Sequence, residues 1–248
     1  MKNRYRLRNS VFPSLFVIIA ACGGGDSIGS GEATKPTCAG TFCDNFDKFK
    51  STSWLPLAGD WATFTSTDSP PDGKIVYRQT STDDSKSAVL NAQWTDAFIE
   101  SWMKFDGSDS SSASNSIGVF LRDNGTYAYV LAVSTNGVLS LRYALSNNSF
   151  IPCASGVSES QEPLVVVSSI EPRTSGWFKL RLEVRGSKDA ISLAGYLDTN
   201  GAGFPATPNV TCSSPTSSFH RLDFGEGGLF SSGNAPAQYD GFVIGNLK

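Results

Sequence analysis

Short runs of alternating apolar and polar residues follow one another along most of the chain. In a strand successive side chains point to opposite faces, so alternate residues share a face. Over Phe98–Asp106 this sets Ile99, Ser101, Met103 and Phe105 against Phe98, Glu100, Trp102, Lys104 and Asp106. Over Phe178–Arg185 it sets Phe178, Leu180, Leu182 and Val184 against Lys179, Arg181, Glu183 and Arg185. Ile117, Val119 and Leu121 likewise read as core, with Phe120 and Arg122 facing out, and Leu139, Leu141 and Tyr143 oppose Ser140 and Arg142. The pattern predicts strands at Trp61–Thr65, Ile75–Gln79, Ala88–Leu90, Ala97–Phe105, Ser116–Arg122, Ala128–Ser134, Val138–Leu145, Trp177–Arg185, Ile191–Leu197, Phe219–Phe224 and Phe242–Leu247. Asp123-Asn124-Gly125 and Thr135-Asn136-Gly137 are hairpin signals. No segment carries a long helical period. Many short antiparallel strands imply an all-β, two-sheet sandwich with one outer face free to bind something.

The first residues break this pattern. Lys2, Arg4, Arg6 and Arg8 precede an apolar run, Val11–Ala21, which ends at Cys22. A membrane-spanning helix needs roughly 20 apolar residues. A basic head and a shorter apolar core are instead the layout of a secretory signal. Ile19-Ala20-Ala21-Cys22 resembles the lipobox of bacterial lipoproteins. That resemblance implies cleavage before Cys22, lipidation of its thiol, and a stable anchor through two or more acyl chains. Residues 22–37 are rich in Gly, Ser and Thr and read as a flexible tether. The expected organisation is a signal at 1–21, the tether at 22–37 and one β domain at 38–248.

Charge and cysteines fit an exported chain. The full sequence has 20 basic and 23 acidic residues. Loss of the four basic residues of the signal leaves 16 against 23, a net −7. Nucleic acid is thereby excluded as a partner, because its binding relies on a basic surface. Besides Cys22 the chain holds Cys38, Cys43, Cys153 and Cys212, an even number for an oxidising compartment. Cys38–Cys43 and Cys153–Cys212 are the favoured pairs among the three possible pairings, with free buried thiols as the alternative.

The order of several motifs carries a second resemblance. "FCDNFDKF", "WLPLAGDW", "WTDAFIESWMKF", "IGVFLRDNGTYAYVLAV", "NGVLSLRY", "WFKLRLEVRG", "LAGYLD" and "YDGFVIGNL" follow one another from about Asp44 to Lys248. The series resembles the concanavalin A-like lectin/glucanase superfamily, in particular bacterial laminin-G-like jelly rolls. The resemblance implies two curved antiparallel sheets with ligand on the concave face. It also implies a structural Ca²⁺ joining the first and last strands, for which Asp240, Asp44 and Asp47 are the matching carboxylates. It does not fix a function, since the fold hosts lectins, adhesion domains, hydrolases and lyases.

If the outward faces lie on one sheet, that sheet displays Trp102 and Phe120 among Glu100, Arg122, Arg142, Arg181 and Glu183. An aromatic platform flanked by charges suits a sugar: the ring stacks on the pyranose and the charges bond its hydroxyls. The same pattern also describes a solvated face laced with cross-strand ion pairs. Catalytic signatures are weak. Glu100 and Asp106 lie too far apart along a strand to serve as the carboxylate pair of a family 16 glucanase. Arg181-Leu-Glu183-Val-Arg185 matches the letters of a lyase motif without its companion motifs. His220, the one histidine, has no placed partner. The expected function is a lipid-anchored, non-catalytic glycan-binding module at the cell surface or in the periplasm, held at the outer membrane if the cell is Gram-negative. A polysaccharide-active enzyme and an adhesive or structural surface protein are the alternatives.

Overall fold

The structure is a computed structural model and describes residues 41–48, 51–107, 115–145, 150–152, 176–187, 190–213, 222–233 and 235–248. These residues fall within a single compact unit, Thr37–Lys248. Fifteen strands occur among them: β1 Phe42–Asp44, β2 Trp54–Ala58, β3 Trp61–Thr65, β4 Ile75–Gln79, β5 Ser85–Val89, β6 Ala97–Phe105, β7 Ser116–Asp123 and β8 Tyr127–Ser134. The series continues with β9 Leu139–Leu145, β10 Phe150–Pro152, β11 Phe178–Arg185, β12 Ser192–Asp198, β13 Val210–Ser213, β14 Glu226–Ser232 and β15 Ala237–Asn246.

The strands form a two-sheet antiparallel sandwich of the jelly-roll kind. The larger sheet has eight strands, ordered β13-β12-β11-β6-β15-β4-β3, with β1 paired to β15. The smaller has seven, ordered β10-β9-β8-β7-β14-β5-β2. Both hairpin signals hold, joining β7 to β8 and β8 to β9, with Gly125 and Gly137 at positive φ. Ile99, Met103, Leu180 and Leu182 of the larger sheet and Ile117, Val119, Leu121, Leu131 and Val133 of the smaller belong to one buried core. One end of that core is aromatic. Trp54 lies 4.8 Å from Phe242 and 5.3 Å from Tyr77, and Phe46 lies 5.4 Å from Tyr77, between ring centroids. Such pairs add about 0.5–1.5 kcal/mol each beyond their burial.

Several strands differ from the expectation. β14 (EGGLFSS) has too many Gly and Ser residues to read as a strand, yet it lies inside the smaller sheet between β7 and β5. Its Gly228 is needed for close packing, because a Cβ there would stand 2.0 Å from Ser87 O. β2 contains Pro56, which an edge strand tolerates because one side of its backbone needs no ladder bonds. Of the expected strand Phe219–Phe224, residues 219–221 lie outside the described residues, and Leu222–Phe224 is not a strand.

Arg122 departs furthest from expectation. It does not protrude beside Phe120; it is buried. On β14, Glu226 pairs with Asp123 and Gly227 with Leu121, so Arg122 is the extra residue of a bulge, with φ of 55°. The bulge breaks the period of two and turns the side chain inward. Its guanidinium donates to Thr95 O at 3.0 Å, Leu222 O at 2.6 Å, Gly186 O at 2.8 Å and Asp96 Oδ1 at 3.2 Å. One cation thus ties together the segments that precede β6, follow β11 and precede β14. Burial lowers its pKa, and Tyr129, Asp96 and Asp223 act against that shift. Arg122→Met leaves three carbonyls without their donor and is expected to cost about 3–5 kcal/mol. Urea denaturation checks this; a lower midpoint at unchanged slope is the expected result.

Candidate functional site

Strand register decides which side chains share the outer face of the larger sheet. One row across β15, β6, β11 and β12 is Asp240, Trp102, Lys179 and Asp198. The next is Val243, Glu100, Arg181 and Tyr196, and the next Gly245, Phe98, Glu183 and Ala194. Trp102 is partly exposed at the middle of the first row.

Two turns hold its indole end to end. At one end β15 carries a bulge between Asp240 and Val243, where Gly241 has φ of 53°. A Cβ on Gly241 would stand 3.1 Å from Trp102 Cδ1. At the other end, a Cβ on Gly201, φ 77°, would stand 3.7 Å from Trp102 Cη2. The Gly201 turn is shaped by Asp198, whose carboxylate accepts the N–H groups of Asn200 at 3.1 Å, Gly201 at 2.8 Å and Gly203 at 3.0 Å. Each turn needs a left-handed backbone that glycine adopts at little cost.

The polar surround is a ladder of ion pairs. Lys179 Nζ donates to Glu100 Oε1 at 2.9 Å, and it lies 5.9 Å from the Trp102 ring centre and 5.4 Å from that of Phe204. Phe204 in turn meets Tyr196 edge-on, with centroids 6.2 Å apart. Arg181 reaches Glu183 at 2.8 Å and Glu100 at 3.5 Å, with its guanidinium 4.2 Å from the centre of the Phe98 ring. Arg185 reaches Glu183 at 3.5 Å. Lys104 pairs with Asp68 at 2.9 Å, and Arg78 pairs with Asp106.

The residues expected to form one platform are therefore divided. Trp102, Glu100, Arg181 and Glu183 come together on the larger sheet. Phe120 and Arg142 belong to β7 and β9 of the smaller sheet, and both are buried. Phe120 joins Ala88, Ala128, Val130, Ala132 and Phe230 in an apolar cluster separate from the main core. Arg142 Nε donates to Ser140 Oγ at 2.6 Å. Alternation correctly said that these residues face away from the inter-sheet core, but it carries no information on which sheet a strand joins. Lys179, Tyr196, Asp198, Phe204 and the two glycine turns were missed as site residues. A legible signal for them is the turn-dense run Asp198-Thr-Asn-Gly-Ala-Gly-Phe204.

Each of the carboxylates associated with calcium accepts N–H groups of the chain. Asp44 accepts Phe46 N at 2.8 Å and Trp54 Nε1 at 2.9 Å. Asp47 Oδ1 accepts the N–H groups of Lys74 at 3.0 Å and Ile75 at 3.2 Å. Asp240 accepts Asp72 N at 2.7 Å and Gly241 N at 2.8 Å. Among the described residues no group of three or more acidic, His or Cys side chains is placed to hold a metal ion. The possible catalytic groups are also committed: Glu100 and Glu183 lie in the ion-pair ladder and Asp106 pairs with Arg78. Cys43 and Cys212 are each disulfide-bonded. Cys22, Cys38, Cys153 and His220 lie outside the described residues.

No protein-family model matches the chain, and no curated protein matches its sequence. Among solved structures, the cellulose induced protein Cip1 superposes with a TM-score of 0.50 at 11% identity, over 83% of this chain and 97% of its own. A GH43 glycoside hydrolase, engineered to display both endo-xylanase and exo-arabinofuranosidase activity, superposes with a TM-score of 0.50 at 13% identity. That match covers 88% of this chain and 42% of the enzyme's. The carbohydrate binding module CBM66 from Bacillus subtilis gives 0.48 at 16% identity, over 78% of this chain and 96% of its own. At these identities the likeness is one of fold.

Asp240 makes this site sensitive to pH. Burial raises its pKa to about 7, the Asp72 and Asp47 carboxylates add to the shift, and the two N–H donors oppose it. The folded pKa lies above the unfolded one, so the fold favours the protonated form. Below about pH 4 both states are protonated and nothing is lost. Between about pH 4 and 7 the unfolded chain releases its proton first, and stability falls by up to about 4 kcal/mol. Comparing urea midpoints of wild type and Asp240→Asn across this range is expected to show the larger loss in wild type.

Proposed function

We propose that the chain is a membrane-anchored lipoprotein whose jelly-roll domain binds glycan on the outer face of its larger sheet, without catalysis. The observation that carries this reading is the held, partly exposed indole of Trp102 amid hydrogen-bonding groups. An indole fixed at both ends loses little freedom when a pyranose stacks on it. Lys179, Glu100 and Arg181 supply donors and an acceptor beside it for ring hydroxyls. Solved structures of the same fold include proteins named for cellulose induction and glycoside hydrolysis, which supports a carbohydrate ligand. Trp102→Ala is expected to weaken binding to the preferred polysaccharide by about 1–3 kcal/mol, the range for stacking of a flat ligand on an aromatic side chain. Trp102→Tyr is expected to keep part of it. Affinity electrophoresis in polysaccharide gels reads both variants; equal mobility of wild type and Trp102→Ala in every gel contradicts the site.

The anchor belongs to the same proposal. Signal cleavage before Cys22 and acylation of its thiol would tether the domain by residues 22–37 to a membrane, the outer one if the cell is Gram-negative. Disulfides Cys38–Cys43 and Cys153–Cys212 suit that oxidising side of the inner membrane. In cells fed a radioactive fatty acid, the wild-type chain is expected to take up label and Cys22→Ser to lose it, together with partitioning into detergent. Equal labelling of both removes the anchor from this account.

A further inference from the structure

We propose that the Trp102 face selects uncharged glycans over acidic ones. This rests on the reading of that face as a glycan site.

An anionic sugar is recognised by cations that have charge to spare. On this face, the cations carried by β4, β6 and β11 are already committed. Lys179 and Arg181 meet Glu100, Arg181 and Arg185 meet Glu183, Lys104 meets Asp68, and Arg78 meets Asp106. The pairs nearest Trp102 are also well shielded. Side-chain exposure is 11% for Glu100, 14% for Glu183 and 20% for Lys179. A uronate or sulfate that drew Lys179 away would leave Glu100 shielded with a weakened counter-charge, and desolvation makes that unfavourable.

A neutral sugar asks for no such exchange. An ammonium has three donors, and Lys179 spends one on Glu100. A guanidinium has five N–H groups, and Arg181 spends three on Glu100 and Glu183. Both pairs therefore keep spare donors while they stay intact. Vicinal hydroxyls can accept from the cation and donate to the carboxylate at the same time. At longer range the net −7 of the chain after its signal opposes an anionic polymer.

The test uses the purified full-length protein in detergent. Its affinity is measured for neutral polymers (mixed-linkage β-glucan, arabinoxylan, galactomannan, levan) and for acidic ones (polygalacturonate, alginate), at 20 and 300 mM NaCl. The proposal expects at least one neutral polymer to bind with less than a twofold effect of salt, and acidic polymers to bind at least tenfold more weakly. Glu100→Gln, which leaves Lys179 and Arg181 with less counter-charge, is expected to raise affinity for the acidic polymers severalfold at low salt. Its melting curve confirms that the variant is folded. Tight binding of an acidic polymer that fades with salt overturns the neutral preference, as does a folded Glu100→Gln with no gain. Failure of the underlying site looks different: no polymer binds, or binding is unaffected by Trp102→Ala.

Discussion

The last strand of the chain runs through the middle of the larger sheet, and the rest of the molecule is arranged around that constraint. β15 pairs with β4 through Ala237–Tyr239, with β6 along most of its length, and with β1 through Phe242–Ile244. Phe42 thus meets Ile244 across nearly the whole described chain. Contacts so distant in sequence form only after a large loss of chain entropy, which makes such folds slow to assemble. The bulge in β15 reconciles two demands. Tyr239 and Phe242 both have to face the core although they are three residues apart, and the extra residue makes that possible. Ser101 lies opposite the bulge, with its hydroxyl 3.0 Å from Asp240 O. The turn that seats Phe242 in the aromatic end of the core is also the turn that braces Trp102. Packing and site therefore share one irregularity.

Much of the fold was legible because a sandwich strand writes its two faces into the sequence. Ile99, Met103, Leu180, Leu182, Ile117 and Leu121 were placed inside from alternation alone, and they are inside. Three kinds of information were not written there. Sheet membership depends on long-range pairing, so Trp102 and Phe120 looked like neighbours when they belong to different sheets. Bulges reset the count, so Arg122 was placed facing solvent when it is a buried tie between loops. Glycine-rich β14 scores poorly as a strand on propensity, because it is selected for closeness to β5 rather than for β-branched side chains. The candidate site was half legible for the same reasons: alternation put the β6 and β11 residues on one shared face, whereas the loops beside the indole came into view only with the register.

The two outer faces of the sandwich differ in kind. On the smaller sheet, Ala88, Phe120, Ala128, Val130, Ala132 and Phe230 form a buried apolar cluster. On the larger sheet a partly exposed tryptophan stands among interlocked charges. Interlocked charges favour the structure in two ways. They let strands β6 and β11 carry polar outer faces side by side, and they leave hydrogen-bonding capacity while each charge stays beside a counter-charge. Under the proposed reading, a surface of that kind suits hydroxyl-rich, uncharged polymers.

The central claim is that Trp102 is where the ligand sits, and the indole N–H resonances test it most directly. The chain has five tryptophans: Trp54, Trp61, Trp94, Trp102 and Trp177. In a ¹⁵N-labelled sample titrated with an oligosaccharide of the preferred polymer, the Trp102 indole signal should shift saturably, with the dissociation constant measured in bulk. The signals of the buried Trp54 and Trp94 should stay in place. Saturable binding that leaves the Trp102 signal unmoved would contradict the account.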